Sequence, residues 1–179
     1  HRLFPGLRMW TPSFGLLSLG AYVERAGFPC QILDCTTFDR PWSALARRIA
    51  EDQPDIIGVT ASATCLSPEA FQTIVLAKRL SPRSVVVAGG SHFSLLARSI
   101  LQEVSELDYI IMGEGEESMA QFVSLAAEDD WEGVKGIRGL AFSVDGEVVV
   151  NPMRPLIQDL DDLPLPAYHL IDVESDAYY

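Results

Sequence analysis

Apolar and polar positions along this chain switch repeatedly between a helical and an extended period. From Phe14 to Ala26 the residues Leu16, Leu17, Leu19, Ala21, Tyr22, Val23 and Ala26 recur at three- and four-residue spacing before Gly27. That pattern predicts a helix with a glycine stop. Cys30–Asp34 reads as a short strand, and Trp42–Glu51 as a helix with Leu45, Ala46 and Ile49 inward, closed off by Pro54. Asp55–Thr60 is the next predicted strand. Ser67-Pro68-Glu69 predicts an N-cap with proline at the first helical position, opening a helix that runs to about Leu80. Ser84–Ala88 then predicts a strand, Leu95–Val104 a helix, Asp108–Met112 a strand and Glu116–Ala127 a helix.

Strict alternation of strand and helix implies parallel strands joined by right-handed crossovers, hence an α/β fold with a doubly wound, Rossmann-like or flavodoxin-like sheet. Such a sheet has about five strands, and only four precede Glu116. The helix at Phe14 lacks a strand before it, because Arg2-Leu3-Phe4-Pro5-Gly6 is broken by Pro5. The expectation is a first strand upstream of His1, in a longer polypeptide. After the last helix, Gly139–Val144 and Glu147–Val150 flank Asp145-Gly146, which accepts the positive φ angles of a type I′ hairpin turn. Residues 1–150 therefore read as one α/β domain with a C-terminal hairpin. Asn151–Tyr179, rich in proline and aspartate, reads as a solvated connector towards a further domain.

Composition narrows the function. With 179 residues, 48% hydrophobic, the chain supports one well-buried domain. No apolar run approaches the ~20 residues that span a bilayer, so the expectation is a cytoplasmic protein with no membrane partner. A net charge of -12 disfavours nucleic acid, which recruits clustered Lys and Arg. Cys30, Cys35 and Cys65 lack metal-ligand spacing and are read as reduced thiols in or near the core.

Three apolar runs end in small residues: Ile57-Gly58-Val59-Thr60 enters Ala61-Ser62-Ala63-Thr64, Val85-Val86-Val87-Ala88 enters Gly89-Gly90-Ser91-His92, and Tyr109-Ile110-Ile111-Met112 enters Gly113-Glu114-Gly115-Glu116. In a parallel sheet these ends share the carboxyl edge, where α/β proteins bind ligands. Gly89 and Gly90 leave room for a flat group against the backbone. Thr60, Ser62 and Thr64 offer hydroxyls to a ligand, or equally cap their own backbone. Glu114 and Glu116 stand where an anion would bind a helix N-terminus, which argues against phosphate and for helix capping or for accepting ligand hydroxyls and amides. His92 follows the glycine pair as a ligand or a satisfied loop residue. No catalytic triad, Walker lysine loop or dinucleotide glycine motif is present, so no catalytic or metal-ligating residue is assigned.

Taken together, Pro12-Ser13-Phe14-Gly15-Leu16-Leu17-Ser18-Leu19, Pro54–Thr60, Val87–His92 and Gly113–Glu116 resemble the N-terminal cobalamin-binding domain of radical S-adenosylmethionine enzymes. The closing Leu160-Asp161-Asp162-Leu163-Pro164-Leu165-Pro166 resembles the connector into their catalytic barrel. The resemblance implies that Thr60 and Thr64, with Ser62 between them, line the pocket of the cobalamin tail. It implies that Gly89 and Gly90 admit the benzimidazole beside His92, and that Pro12, Ser13, Gly15 and Leu16 with Gly113, Glu114, Gly115 and Glu116 flank the corrin. The Asp-x-His-x-x-Gly sequence of members that ligate cobalt through histidine does not occur here, which implies cobalamin bound base-off without a histidine ligand. A C-terminal barrel of the same polypeptide would hold a 4Fe–4S cluster and S-adenosylmethionine for methyl transfer, ring closure or related radical chemistry. The competing readings are a degenerate, cofactor-free interaction domain of a radical enzyme and, more distantly, a flavodoxin-like or receiver-like domain.

Overall fold

The computed structural model describes residues 12–35, 42–61 and 63–172. Helix α1 (Phe14–Arg25) is followed by α2 (Trp42–Asp52), β1 (Ile56–Thr60), α3 (Ser67–Leu80), β2 (Val85–Gly89), α4 (Ser91–Glu103) and β3 (Tyr109–Ile111). After them come α5 (Glu116–Ala127), the short α6 (Trp131–Lys135), β4 (Leu140–Val144) and β5 (Glu147–Val150). The five strands form one sheet in chain order. β1, β2 and β3 pair in parallel, whereas β4 runs antiparallel to β3 and to β5. The fold is α/β, as the alternation implied. The predicted hairpin is not an appendage, however, because its first strand continues the sheet beyond β3. Val144 pairs with Glu147 across Asp145 (φ 51°) and Gly146 (φ 83°), the two positive φ angles a type I′ turn requires.

Side chains of β2 alternate between two cores, as a period of two demands. Val86 and Ala88 face α3 and α4 with Ile74, Phe93 and Ile100, while Val87 faces α5 with Phe122 and Ile137. Phe93 and Phe122 are fully enclosed, and burying a side chain of that size contributes about 1.5–3 kcal/mol. α1 packs against α5 and α2 against α3, so the first two helices lie on opposite faces.

Four expectations are corrected. Cys30–Asp34 is not a strand: among the described residues it joins no ladder. It packs on α1, where Cys30 Sγ donates to Gly20 O at 3.7 Å, and it meets α2, where Arg48 donates to Gln31 at 2.5 Å. It and β1 line the same cleft, and it joins none of the described ladders of the sheet. Helix α4 begins at Ser91, four residues before Leu95, because Gly90 (φ 95°) supplies the turn into it. Helix α3 begins at Ser67 itself, whose hydroxyl donates back to Thr64 O at 2.8 Å instead of capping forward. Of the cysteines, Cys30 is half-buried and Cys35 is exposed, so the latter is not a core residue.

The connector, over its described part, lies on the domain. Ala167 is buried and its N–H donates to Leu17 O at 3.0 Å. Tyr168 meets Phe14 edge to face, and His169 pairs with Glu24 at 2.8 Å. Its leucines at 156, 160 and 165 remain exposed.

Candidate functional site

The carboxyl ends of β1, β2 and β3 open into a cleft of about 2510 Å³. Ligand pockets for small molecules run to roughly 300–1,000 Å³, and this volume exceeds them because it takes in both the carboxyl edge and the side of β1 that no described strand covers. At the carboxyl edge its lining includes Thr60, Gly89, Gly90 and Gly113 through Glu116, faced by Pro12 through Leu16 at the start of α1. The cleft continues as a trough along the side of β1 that no described strand covers, past Ile56 and Gly58, to the non-strand stretch 28–35.

Each rim residue is placed by its local sequence. Gly89 ends β2 with ordinary backbone, and a Cβ there would meet only Ile111 O at 3.5 Å. Gly90 is different: its φ of 95° and a Cβ position 2.6 Å from Ala61 O admit no side chain. The β1 and β2 ends are bonded to each other, Ala61 N to Gly89 O at 3.2 Å and Thr60 Oγ1 to the same oxygen at a long 3.4 Å. Thr60 is exposed, leaving its oxygen available to a ligand donor. Gly15 has open space where a Cβ would stand.

Three expected site residues have other engagements. Glu114 Oε2 accepts from the Ile157 N–H at 2.7 Å, so this carboxylate ties the rim to the connector. Neither it nor Glu116 caps α5, whose N-cap is Gly115 without a side-chain bond. His92 lies in α4, 9% exposed, with its ring edge-on to Phe71 and Phe93 and its Nδ1 3.3 Å from Thr64 Oγ1. The structure thus brings His92 and Thr64 together, and neither is among the residues lining the cleft. Ser62 lies outside the described residues.

Sequence reasoning passed over Ser94, Glu69 and Met119. Glu69 and Met119 line the cleft from α3 and α5. Ser94 bridges two rim loops: its Oγ donates to Gly90 O at 2.9 Å and accepts from the Gly113 N–H at 3.1 Å. A helix beginning at Ser91 rather than Leu95 would have turned Ser94 towards those loops. Among the described residues there is no cluster of His, Cys, Asp and Glu able to hold a metal ion, and no helix long and apolar enough to cross a membrane.

Comparison with known proteins follows the same geometry. An uncharacterized methyltransferase of Pyrococcus horikoshii is 31% identical over 164 residues, 92% of this chain and 35% of that protein. The anaerobic magnesium-protoporphyrin IX monomethyl ester cyclase of Rubrivivax gelatinosus is 30% identical over 172 residues, 94% of this chain and 30% of the cyclase. The chain thus spans about a third of the length of these relatives. Among solved structures, the radical S-adenosylmethionine methyltransferase TsrM from Kitasatospora setae, with cobalamin and a 4Fe–4S cluster bound, shares the fold. Its TM-score is 0.69 at 24% identity, over 86% of this chain and 28% of TsrM. The cobalamin-dependent S-adenosylmethionine radical enzyme OxsB, with aqua-cobalamin and S-adenosylmethionine bound, gives 0.71 at 18% identity, over 92% of this chain and 22% of OxsB. The model of the B12 binding domain matches residues 8–123, which takes in α1, the three parallel strands and all of the cleft's glycine-bearing loops, and the chain belongs to that family.

Proposed function

We propose that this chain is the cobalamin-binding module of a cobalamin-dependent radical S-adenosylmethionine enzyme. The observation that carries the reading is the cleft at the carboxyl edge, edged by glycines that let a flat group approach backbone, within the span that the B12 binding domain model matches. Thr60 would meet the nucleotide tail beside Gly89 and Gly90, while Pro12 through Leu16 and Gly113 through Glu116 would flank the corrin. Cobalamin, when bound, supplies a cobalt centre able to carry a methyl group. The protein's own residues bind it and hold it against the sheet edge. A tail seated at Gly89 and Gly90 would bind base-off, and His92, enclosed by two phenylalanines with its Nδ1 turned to Thr64, would not serve as a ligand, nor does any described histidine line the cleft.

The S-adenosylmethionine and 4Fe–4S chemistry belongs to a barrel elsewhere in the polypeptide, following the connector, and the reaction there is a methyl transfer, a ring closure or a related radical step. Its mark is a Cys-x-x-x-Cys-x-x-Cys sequence downstream of Tyr179. Reading that sequence tests this part of the reading, and a following domain without the cysteines overturns it. The binding step is tested by absorbance titration of the intact polypeptide with hydroxocobalamin. A saturable change to the base-off spectrum is expected. Absence of binding would favour the cofactor-free interaction domain instead.

A further inference from the structure

The first turn of α4 is tied to the loops on both sides of it. Ser94 Oγ spends its hydrogen on Gly90 O and a lone pair on the Gly113 N–H, at 2.9 and 3.1 Å, so one hydroxyl joins the β2–α4 and β3–α5 loops. Two residues earlier His92 Nδ1 reaches Thr64 Oγ1 in the β1–α3 loop at 3.3 Å. Gly90 and Gly113 both line the cleft, and both have positive φ, 95° and 74°. Glycines in that region have no side chain to hold them, so their loops keep a fixed spacing only through bonds to backbone. At Leu96 the backbone leaves helical geometry (φ -115°, ψ 18°), which offsets this turn from the remainder of α4 that Ala97, Ile100 and Leu101 anchor in the core.

We propose that Ser94 and His92 are positioning residues that set the spacing of the three cofactor loops, an inference that rests on the cofactor reading above. Neither side chain lines the cleft, so each acts through a residue at the carboxyl edge, Ser94 through Gly90 and Gly113 and His92 through Thr64. A loop released from its bond must be ordered again when the ligand arrives, and affinity falls by that ordering cost although no ligand contact has been removed.

The test is a hydroxocobalamin titration of the intact polypeptide, with amide exchange at Gly113 and thermal unfolding measured alongside. In Ser94→Ala the Gly90 oxygen keeps its bond from Ser94 N at 2.9 Å, so the net loss is the hydrogen bond to Gly113 N, expected to weaken binding about tenfold with faster exchange at Gly113 and an unchanged unfolding temperature. Ser94→Thr keeps the hydroxyl and restores both readouts. His92→Phe preserves the ring packing on Phe71 and Phe93 and removes the bond to Thr64. It is expected to weaken binding non-additively with Thr64→Val, since both interrupt the same link. Binding by Ser94→Ala equal to wild type, or weakened only in proportion to lost thermal stability, overturns the inference while leaving the cofactor reading intact. Failure of the wild type to bind hydroxocobalamin overturns the cofactor reading itself, and this inference with it.

Discussion

Arg154 Nη1 meets Glu117 Oε2 at 3.0 Å, joining the segment after the hairpin to the first turn of α5. The same guanidinium reaches Ser118 Oγ at 3.1 Å and Gln121 Oε1 at 2.7 Å, so three acceptors on one helix face are taken by one planar fork. A proline-rich, acidic stretch that composition marks as solvated is thereby docked, and Glu114 adds a second attachment through Ile157 N.

Arg154→Ala is therefore expected to free this stretch with a modest loss of global stability. Glu117 is half-exposed, which limits the ion pair, and Ser118 keeps its own bond to Arg138 O at 3.0 Å, so no buried group is orphaned. The expected cost is about 1–2 kcal/mol in chemical denaturation, accompanied by faster proteolysis between residues 153 and 160. Arg154→Lys recovers only part of the protection, because an ammonium cannot serve three acceptors laid out for a fork. Unaltered proteolysis in Arg154→Ala would show that Glu114 and the later contacts hold the stretch alone.

The two glycines after β2 look interchangeable in sequence and differ sharply in structure. Gly90→Leu suggests itself as a steric probe of the ligand site, yet its positive φ and the 2.6 Å approach to Ala61 O mean that even alanine strains the fold. Gly90→Ala is expected to cost about 1–3 kcal/mol of stability, so lost binding there says little about the ligand. Gly89 has ordinary φ and ordinary contacts, so Gly89→Ala should unfold within about 1 kcal/mol of wild type and Gly89→Leu should weaken hydroxocobalamin binding more than it weakens folding. Equal binding by Gly89→Leu and wild type would move the tail away from this strand end.

The parallel strands, four of the helices and the hairpin were legible because each repeats a period that burial enforces on both faces of the sheet. Glu116–Ala127 is an example, its ends fixed by Gly115 and by the switch to acidic residues after Ala127. What was illegible depended on distant partners. Cys30–Asp34 has strand composition, but composition cannot supply a neighbour, and the stretch joins no described ladder. The start of α4 was obscured because Ser91, His92 and Ser94 read as loop residues, while the φ of Gly90 that launches the helix is invisible in sequence. The strand-end glycines do lie together along one cleft, whereas the pairing of His92 with Thr64 required knowing that two loops 28 residues apart meet.

Burial and the neighbouring Glu24 carboxylate, in that order, push the Cys30 thiol above the ordinary cysteine range. Its thiolate is the reactive form, so Cys30 should alkylate with iodoacetamide more slowly than exposed Cys35 at any pH near neutrality, by peptide mass analysis. The folded state holds this proton more tightly than the unfolded chain. The associated stability is therefore fully present below the unfolded thiol's titration and is lost as pH rises through the folded value. Cys30→Ser should flatten the alkaline fall in unfolding temperature. An identical fall in both proteins would place its origin elsewhere.

Among the described residues β1 is paired on one side only, and the alternation of a parallel ladder specifies which of its groups are left over. Val85 N donates to Asp55 O at 2.8 Å and Ala61 N to Gly89 O at 3.2 Å, so the odd-numbered residues from 55 to 61 face β2. Ile56, Gly58 and Thr60 consequently direct their N–H and C=O groups into the trough, where all three line the cleft. Amide exchange on the 179-residue chain should be fast at Ile56, Gly58 and Thr60 and slow at Ile57 and Val59. If the longer polypeptide of the proposed function contributes a further strand before α1, this edge is where it fits. α1 and α2 lie on opposite faces, so two right-handed crossovers bring the chain out to the stretch 28–35 and back only if that strand lies between the stretch and β1. In the intact polypeptide the amides of Ile56, Gly58 and Thr60 should then become as slow as their neighbours. Gly58→Pro should be mild in the short chain, where the lost N–H faces solvent, and severely destabilising in the long one, where it removes a central ladder bond. Rapid exchange at Gly58 in both polypeptides would show that this edge stays open and that the strand pairs elsewhere.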